Sequence, residues 1–266
     1  MLGEHGQDAD ADLEMALAEL RATGERWWIS FALTDLANRI AMRGEFSGAC
    51  EHYEQAIGVI TELGAIEDVV VMRSRQAQLY WLSGDADSSA AAMAEADRTA
   101  ARVAWPNALA ELALAQAELA RWRGDAEQAH GQLGVATAML GDDAERAQVR
   151  AVVQDLRGYL AEDLDEARDH RAAAFQAASE VGHALLIARV LVGIADLALR
   201  RRQYEGAARL LAASARVRGL PDRSHPDVAR IERTTRRHLG EARFAEVTRE
   251  GMQTAWSQLV EVTLAS

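Results

Sequence analysis

The sequence contains no lysine: all 29 basic residues are arginine. That absence removes the phosphate-gripping lysine of a Walker motif, the Schiff-base lysine and the lysine general base. Proline is scarce, with only Pro106, Pro221 and Pro226, and aromatic residues make up 5% of the 266 positions. A chain so poor in aromatics is a poor source of strands, and all-β folds are excluded. One cysteine, Cys50, excludes an internal disulfide framework and suggests a cytoplasmic protein. No apolar run approaches the ~18 residues of a membrane span. The acidic start, MLGEHGQDADAD, lacks the basic and apolar regions of a signal peptide.

What is abundant is alanine, 55 residues, followed by leucine, 29. Both favour helix, and the apolar content of 49% is too high for a disordered chain. The net charge of −12 is unevenly spread. Residues 1–199 hold 16 arginines against 33 acids, whereas residues 200–249 hold 13 against 6. The acidic majority argues against direct nucleic-acid binding. Arg200, Arg201, Arg202, Arg236 and Arg237 are candidates for a docking patch; the alternative is a solvated face or one that complements acidic neighbours.

An internal repeat organises the chain. Gly44, Gly84 and Gly124 are 40 residues apart, and each is followed by an acid in the phrases MRGEFSGA, LSGDADSS and WRGDAEQA. Two weaker copies lie around Glu162 and Arg202. Glycine releases one helix through a left-handed conformation, and the acid favours the start of the next. Leu33, Leu36, Ala37 and Ile40 have helical spacing before the first turn. Phe46, Ala49, Tyr53, Ala56, Ile57 and Ile60 have it afterwards. The unit is therefore an αα-hairpin.

Three columns of small residues recur. The first is Ala37, Ala77, Ala117, Gly158 and Ala195. The second is Ala49, Ser89, Ala129, Ala167 and Ala207, and the third is Ala56, Ala96, Ala136, Ala174 and Ser214. Small side chains let two helices approach closely. Arg171 stands where the pattern expects a large apolar residue.

These columns, with the best copy at SFALTDLANRIAMRGEFSGACEHYEQAIGVITEL, resemble tetratricopeptide (TPR) repeats, although the period is 40 rather than about 34. The phrases RWRGDAEQA, EDLDEARDH, ARVLVGIADLALRRRQYEGAARLLAASARVRG and LGEARFAEVTREG resemble the C-terminal helical region of large actinobacterial SARP-type transcriptional regulators. Such regulators join a DNA-binding and activation domain and a STAND-type ATPase to TPR repeats, and many control antibiotic biosynthesis. LuxR-type large regulators carry related repeats.

The resemblance implies an all-α, TPR-like right-handed solenoid of antiparallel hairpins. Residues 1–24 would be an acidic start and half repeat, because Gly24 lies 40 before Gly64. Five hairpins would occupy 25–218, and a C-terminal helical cap would occupy 219–266. The half repeat suggests a fragment of a longer protein, since an uncapped face would otherwise be exposed.

The function implied is a regulatory, protein-interaction region of a transcriptional regulator. It would bind a protein, a peptide, a small effector or the regulator's own ATPase and DNA-binding domains, and could assemble as an oligomer. The alternative is a stand-alone TPR adaptor or peptide receptor. The first helices of TPR hairpins line a groove. Aligning the turns places Thr34 and Ser74 in one groove column with Leu114 and Val192. Asn38, Gln78, Glu118 and Asp196 form the next, and Trp81, Trp122 and Tyr159 lie near the edge. Polar groups there can bond a peptide backbone, and indoles offer contact area. The competing reading is a solvated polar column, with Trp28, Trp81, Trp105 and Trp122 filling gaps. Trp27 and Trp28 are adjacent, so one of them is expected to be exposed for contact.

No catalytic constellation is expected. GxSxG, P-loop and Rossmann patterns are absent, the seven histidines are scattered, and no cofactor or metal is expected. Asp8, Asp10, Asp12 and Glu19 mimic calcium-loop positions, but Leu13 replaces the turn glycine, and an acidic helix start explains them better. Cys50 adjoins Ala49 in a packing column and reads as a small buried residue rather than a nucleophile. Asp142–Asp143 and Glu162–Asp163 read as caps.

Overall fold

The computed structural model describes the backbone of residues 2–103 and 105–265, and side chains from residue 11 onward within those ranges. Asp8 and Asp10 therefore lie outside the described side chains; Asp12 and Glu19 sit in the helix α1 (Leu2–Thr23). The fold is all-α, with 13 α-helices and no strand among the described residues. It divides into two compact units, residues 1–141 and 142–266.

The first unit holds α1 and three hairpins. These are α2 (Arg26–Met42) with α3 (Phe46–Glu62), α4 (Ile66–Leu82) with α5 (Ala86–Ala100), and α6 (Pro106–Trp122) with α7 (Ala126–Leu140). Successive hairpins stack within the unit: α3 packs on α4, and α4 on α6. The second unit begins in a 3₁₀ segment, Gly141–Glu145, and holds α8 (Ala147–Leu160) with α9 (Leu164–Val181) and α10 (Ala184–Arg200) with α11 (Tyr204–Arg218). It ends with α12 (Pro226–Gln253), broken at Gly240, and α13 (Trp256–Ala265). α12 covers α11, and α13 packs against α9, α10 and α11. This is the stacked-hairpin architecture of an α-solenoid.

The turns follow from local chemistry. Gly44, Gly84 and Gly124 all have φ between 82° and 88°, where a Cβ would be strained. Asp85 and Asp125 accept from the amides of Ser88 and Gln128, 2.9 and 3.0 Å away. Asp163 accepts from two amides at the start of α9. Each carboxylate satisfies a donor that the first helical turn cannot satisfy internally. In the last hairpin Arg202 adopts φ 61°, the left-handed position that glycine holds elsewhere.

All fifteen residues of the three small columns are buried. Larger residues fill the space beside them: Leu33, Leu36 and Tyr53 in the first hairpin, and Leu191, Ile194 and Leu210 in the last. Ser30 reaches from α2 to the Ala56 carbonyl (3.2 Å) and Ser214 from α11 to the Ala188 carbonyl (2.7 Å), so buried hydroxyls also bridge the paired helices. Ala117 is wholly buried. Ala117→Leu is expected to cost about 1–3 kcal/mol by overpacking, read as a lower midpoint in urea denaturation followed by circular dichroism.

Candidate functional site

Seven expected groove residues fall in the first unit and two in the second. Thr34 is half-buried and donates to the Ser30 carbonyl, while its side chain borders a cavity. Asn38 accepts from the Tyr53 hydroxyl at 2.8 Å. Ser74 is buried and donates to the Val70 carbonyl, so it serves its own helix. Gln78 is also buried: its amide donates to the Glu118 carboxylate at 3.0 Å and its carbonyl accepts from Arg75. Trp81 and Trp122 pack against one another, with ring centroids 5.6 Å apart. These seven lie on the first helices of their hairpins, but much of their polar capacity is used internally.

The other two, Tyr159 and Asp196, belong to a charged cluster inside the second unit. Arg171 of α9 is fully buried and pairs with the equally buried Asp155 of α8. It donates to both the carboxylate and the backbone carbonyl of Asp155. Arg189 of α10 donates to the second carboxylate oxygen at 3.2 Å. The Tyr159 ring lies 3.9 Å from the Arg171 guanidinium carbon, a cation–π arrangement. Asp196 sits 3.8 Å from Arg171 and accepts from Arg230 of α12 at 2.5 Å. Asp227 also accepts from Arg230. Three arginines thus face three aspartates, a formally neutral set.

Glycine makes room for that cluster. A Cβ on Gly158 would lie 2.8 Å from Arg171 Nε, and one on Gly193 would overlap the Arg171–Asp155 pair. Gly158 therefore accommodates a guanidinium, which the column pattern does not convey. Arg171, the exception to that pattern, is the centre of the cluster; its distant partner Asp155 carried no sequence signal.

The arginine patch is partly consumed in the same way. Arg200 donates to the Gly158, Ala161 and Glu162 carbonyls and so closes the end of α8. Arg201 donates to the Thr263 carbonyl of α13. Arg236 is bound by Glu232 and Glu241 and lies over the Phe244 ring. Arg202 and Arg237 are exposed, with no carboxylate within 4 Å among the described residues.

The expectation that one indole of the Trp27–Trp28 pair is exposed is exceeded in the first unit. Trp27 and Trp28 are both about half exposed, at 52% and 55%, and Phe31 is 63% exposed. Trp28 meets Phe31 edge-on, at 6.1 Å between centroids. Across from α2, Asp68 of α4 borders the same cavity as Trp27 and Phe31. Burial first, and then the neighbouring Glu67, raise the Asp68 pKa above its ordinary value. Loss of hydration and the charge of Asp68 do the same to Glu111. The signal available in the sequence was the WW pair; the acids resembled ordinary helix-start residues.

Cys50 is buried, and burial, followed by the charge of Glu54, pushes its thiol up to about 11. No group of three or more His, Cys, Asp or Glu among the described residues could hold a metal ion. No described helix is long and apolar enough to cross a membrane. A scan of protein-family models finds no match to the chain, and a search of curated proteins finds none either.

Two outcomes follow from this chemistry. Disulfide-reagent labelling of Cys50 at pH 8 should run at least about a hundredfold slower in the native protein than in urea, because little thiolate exists and access is blocked. Asp155→Ala should cost about 3–5 kcal/mol by leaving Arg171 buried without its partner. The double change Asp155→Leu/Arg171→Met should recover much of that loss, with both read by urea denaturation.

Proposed function

We propose that the chain is a TPR-like interaction module that binds a protein or peptide segment and serves as the regulatory arm of a larger transcriptional regulator. The observation that carries the interaction reading is the exposed aromatic surface of α2 beside the carboxylate of Asp68, set on a stack of helical hairpins. Exposed large aromatics are costly in water and mark contact surfaces when clustered. The regulatory link rests on the resemblance to SARP-type regulators. Its mechanism would be a population shift: a ligand favours one assembly of the regulator only to the extent that it binds that assembly more tightly.

Peptide-array binding followed by calorimetry tests the interaction reading. A subset of peptides should bind with micromolar dissociation constants, and Trp27→Ala or Phe31→Ala should weaken them with little change in unfolding midpoint. Uniform absence of binding, or binding indifferent to both substitutions, would reject the surface. Sequencing the locus upstream of Met1 tests the regulatory reading separately. A continuous frame encoding an ATPase and a DNA-binding domain is expected. A stop codon and ribosome-binding site immediately upstream would leave the stand-alone adaptor.

A further inference from the structure

A cavity of about 190 Å³ opens between α2 and α4, above Ile60 at the end of α3. Trp27, Phe31 and Thr34 form one wall, and Asp68, Val71 and Met72 form the other. Drug-sized ligands occupy pockets of about 300–1,000 Å³, so this cavity suits one side chain better than a whole small molecule. Its walls are aromatic and apolar, and Asp68 supplies a carboxylate within them.

Asp68 lies in the first turn of α4, where the helix dipole favours a carboxylate, but no side-chain cation among the described residues meets it. Among the described residues, no arginine lies within 4 Å of Asp68 or Glu111, and neither accepts a hydrogen bond. The arginines of α2 and α4 nearest in sequence are otherwise engaged: Arg26 pairs with Glu62, and Arg73 with Glu54 and Glu95. Asp68 stands on α4 and Glu111 on α6; the charge of Asp68 reaches Glu111, and that of Glu67 reaches Asp68. Asp68 is half-buried, whereas Glu111 is exposed; neighbouring like charges are unfavourable, and a cation placed beside Asp68 would relieve that repulsion. The whole unit is short of positive charge, with ten arginines against 22 acids in residues 1–141.

We propose that this cavity seats one arginine or lysine side chain presented by a partner protein. Its cation would lie against the Trp27 and Phe31 rings and pair with Asp68, with Glu111 contributing longer-range attraction. Aromatic faces attract cations through their quadrupoles, and the carboxylate supplies a charge-assisted hydrogen bond. The aliphatic stem would cover Val71 and Met72. This inference rests on the interaction reading above and narrows it to a basic segment.

The test uses the full chain and acetylated pentapeptides with a central arginine, lysine, citrulline or norleucine. Binding is followed by calorimetry and tryptophan fluorescence, with wild type, Asp68→Asn and Trp27→Ala. Circular dichroism checks that both variants are folded. The arginine and lysine peptides should bind at least about tenfold more tightly than citrulline, which keeps the shape and loses the charge. Asp68→Asn should abolish that preference, and Trp27→Ala should weaken binding about threefold. Affinity should fall with added salt, and as pH falls through the carboxylate range, because protonated Asp68 and Glu111 no longer attract a cation.

Equal binding of citrulline or norleucine, or a preference that survives in Asp68→Asn, would overturn the basic-segment inference while leaving the interaction reading intact. If none of the peptides binds and the wider array is also silent, both fall. Sedimentation of the unliganded chain completes the test. A concentration-dependent dimer lost in Asp68→Asn would show the cavity filled by an arginine of a second copy, and would overturn the assignment to a different partner.

Discussion

The close approach of paired helices through small side chains is the constraint on which the rest of the structure depends. Each hairpin meets through alanine, glycine or serine, and every member of the three columns is buried. An alanine buries little area, so these residues contribute chiefly by letting larger neighbours interlock. Leu33, Leu79, Leu156, Leu191 and Leu210 do that beside them. The arrangement has little slack. Added bulk at a column has to be matched by an opening elsewhere, as protein interiors are packed near crystal density.

Arg171 shows how such a match is made. A guanidinium in place of an apolar side chain needs both volume and charge balance. Gly158 and Gly193 provide the volume, and Asp155 provides the charge. The cluster then spreads, because Asp155 also holds Arg189, and Asp196 faces both Arg171 and Arg230. Side chains from α8, α9, α10 and α12 are thereby joined in one network. A buried ion set of this kind is weak evidence of net stabilisation, since desolvation opposes the Coulomb gain. Its geometric effect is firmer: sliding one helix along another by a turn would strand a charge.

The hairpins were legible in the sequence because close packing and turns leave a periodic trace. A position that tolerates only small residues, or only a positive φ, must repeat wherever the local geometry repeats. The buried cluster was not legible, because a charge pair leaves no period. Asp155 and Arg171 are 16 residues apart on different helices; Arg171 stands out only as an interruption of the apolar pattern, and Asp155 taken alone resembles a surface residue. The groove columns were legible as helix faces only. Which side chains on a face are already committed depends on neighbouring helices: Gln78 is held by Glu118, and Asn38 by Tyr53. Ser74 turns back on its own helix, an option open to any helical serine. The adjacency of Trp27 and Trp28 announced the exposure of one indole, whereas both are exposed, and Asp68 across the cavity from Trp27 carried no such signal.

Charge shows the same limit most clearly. Counted along the chain, residues 200–249 are a basic block that invites a docking role. Counted by folded unit, residues 142–266 hold 19 arginines and 19 acids and are neutral, and the whole net charge of −12 resides in residues 1–141. Part of the basic block is an internal counterion of its own unit. Glu205 and Glu250 hold Arg209 and Arg243, and Asp196 and Asp227 hold Arg230. The first unit has no comparable reserve. Among its described residues Asp68 stands without an arginine within 4 Å, beside the exposed rings of Trp27 and Phe31, and the unit's net negative charge sets up a field that attracts cations. The folded units therefore divide the charge differently from the linear map: several of the conspicuous arginines are engaged within their own unit while Arg202 and Arg237 are not, and the net negative charge belongs to residues 1–141.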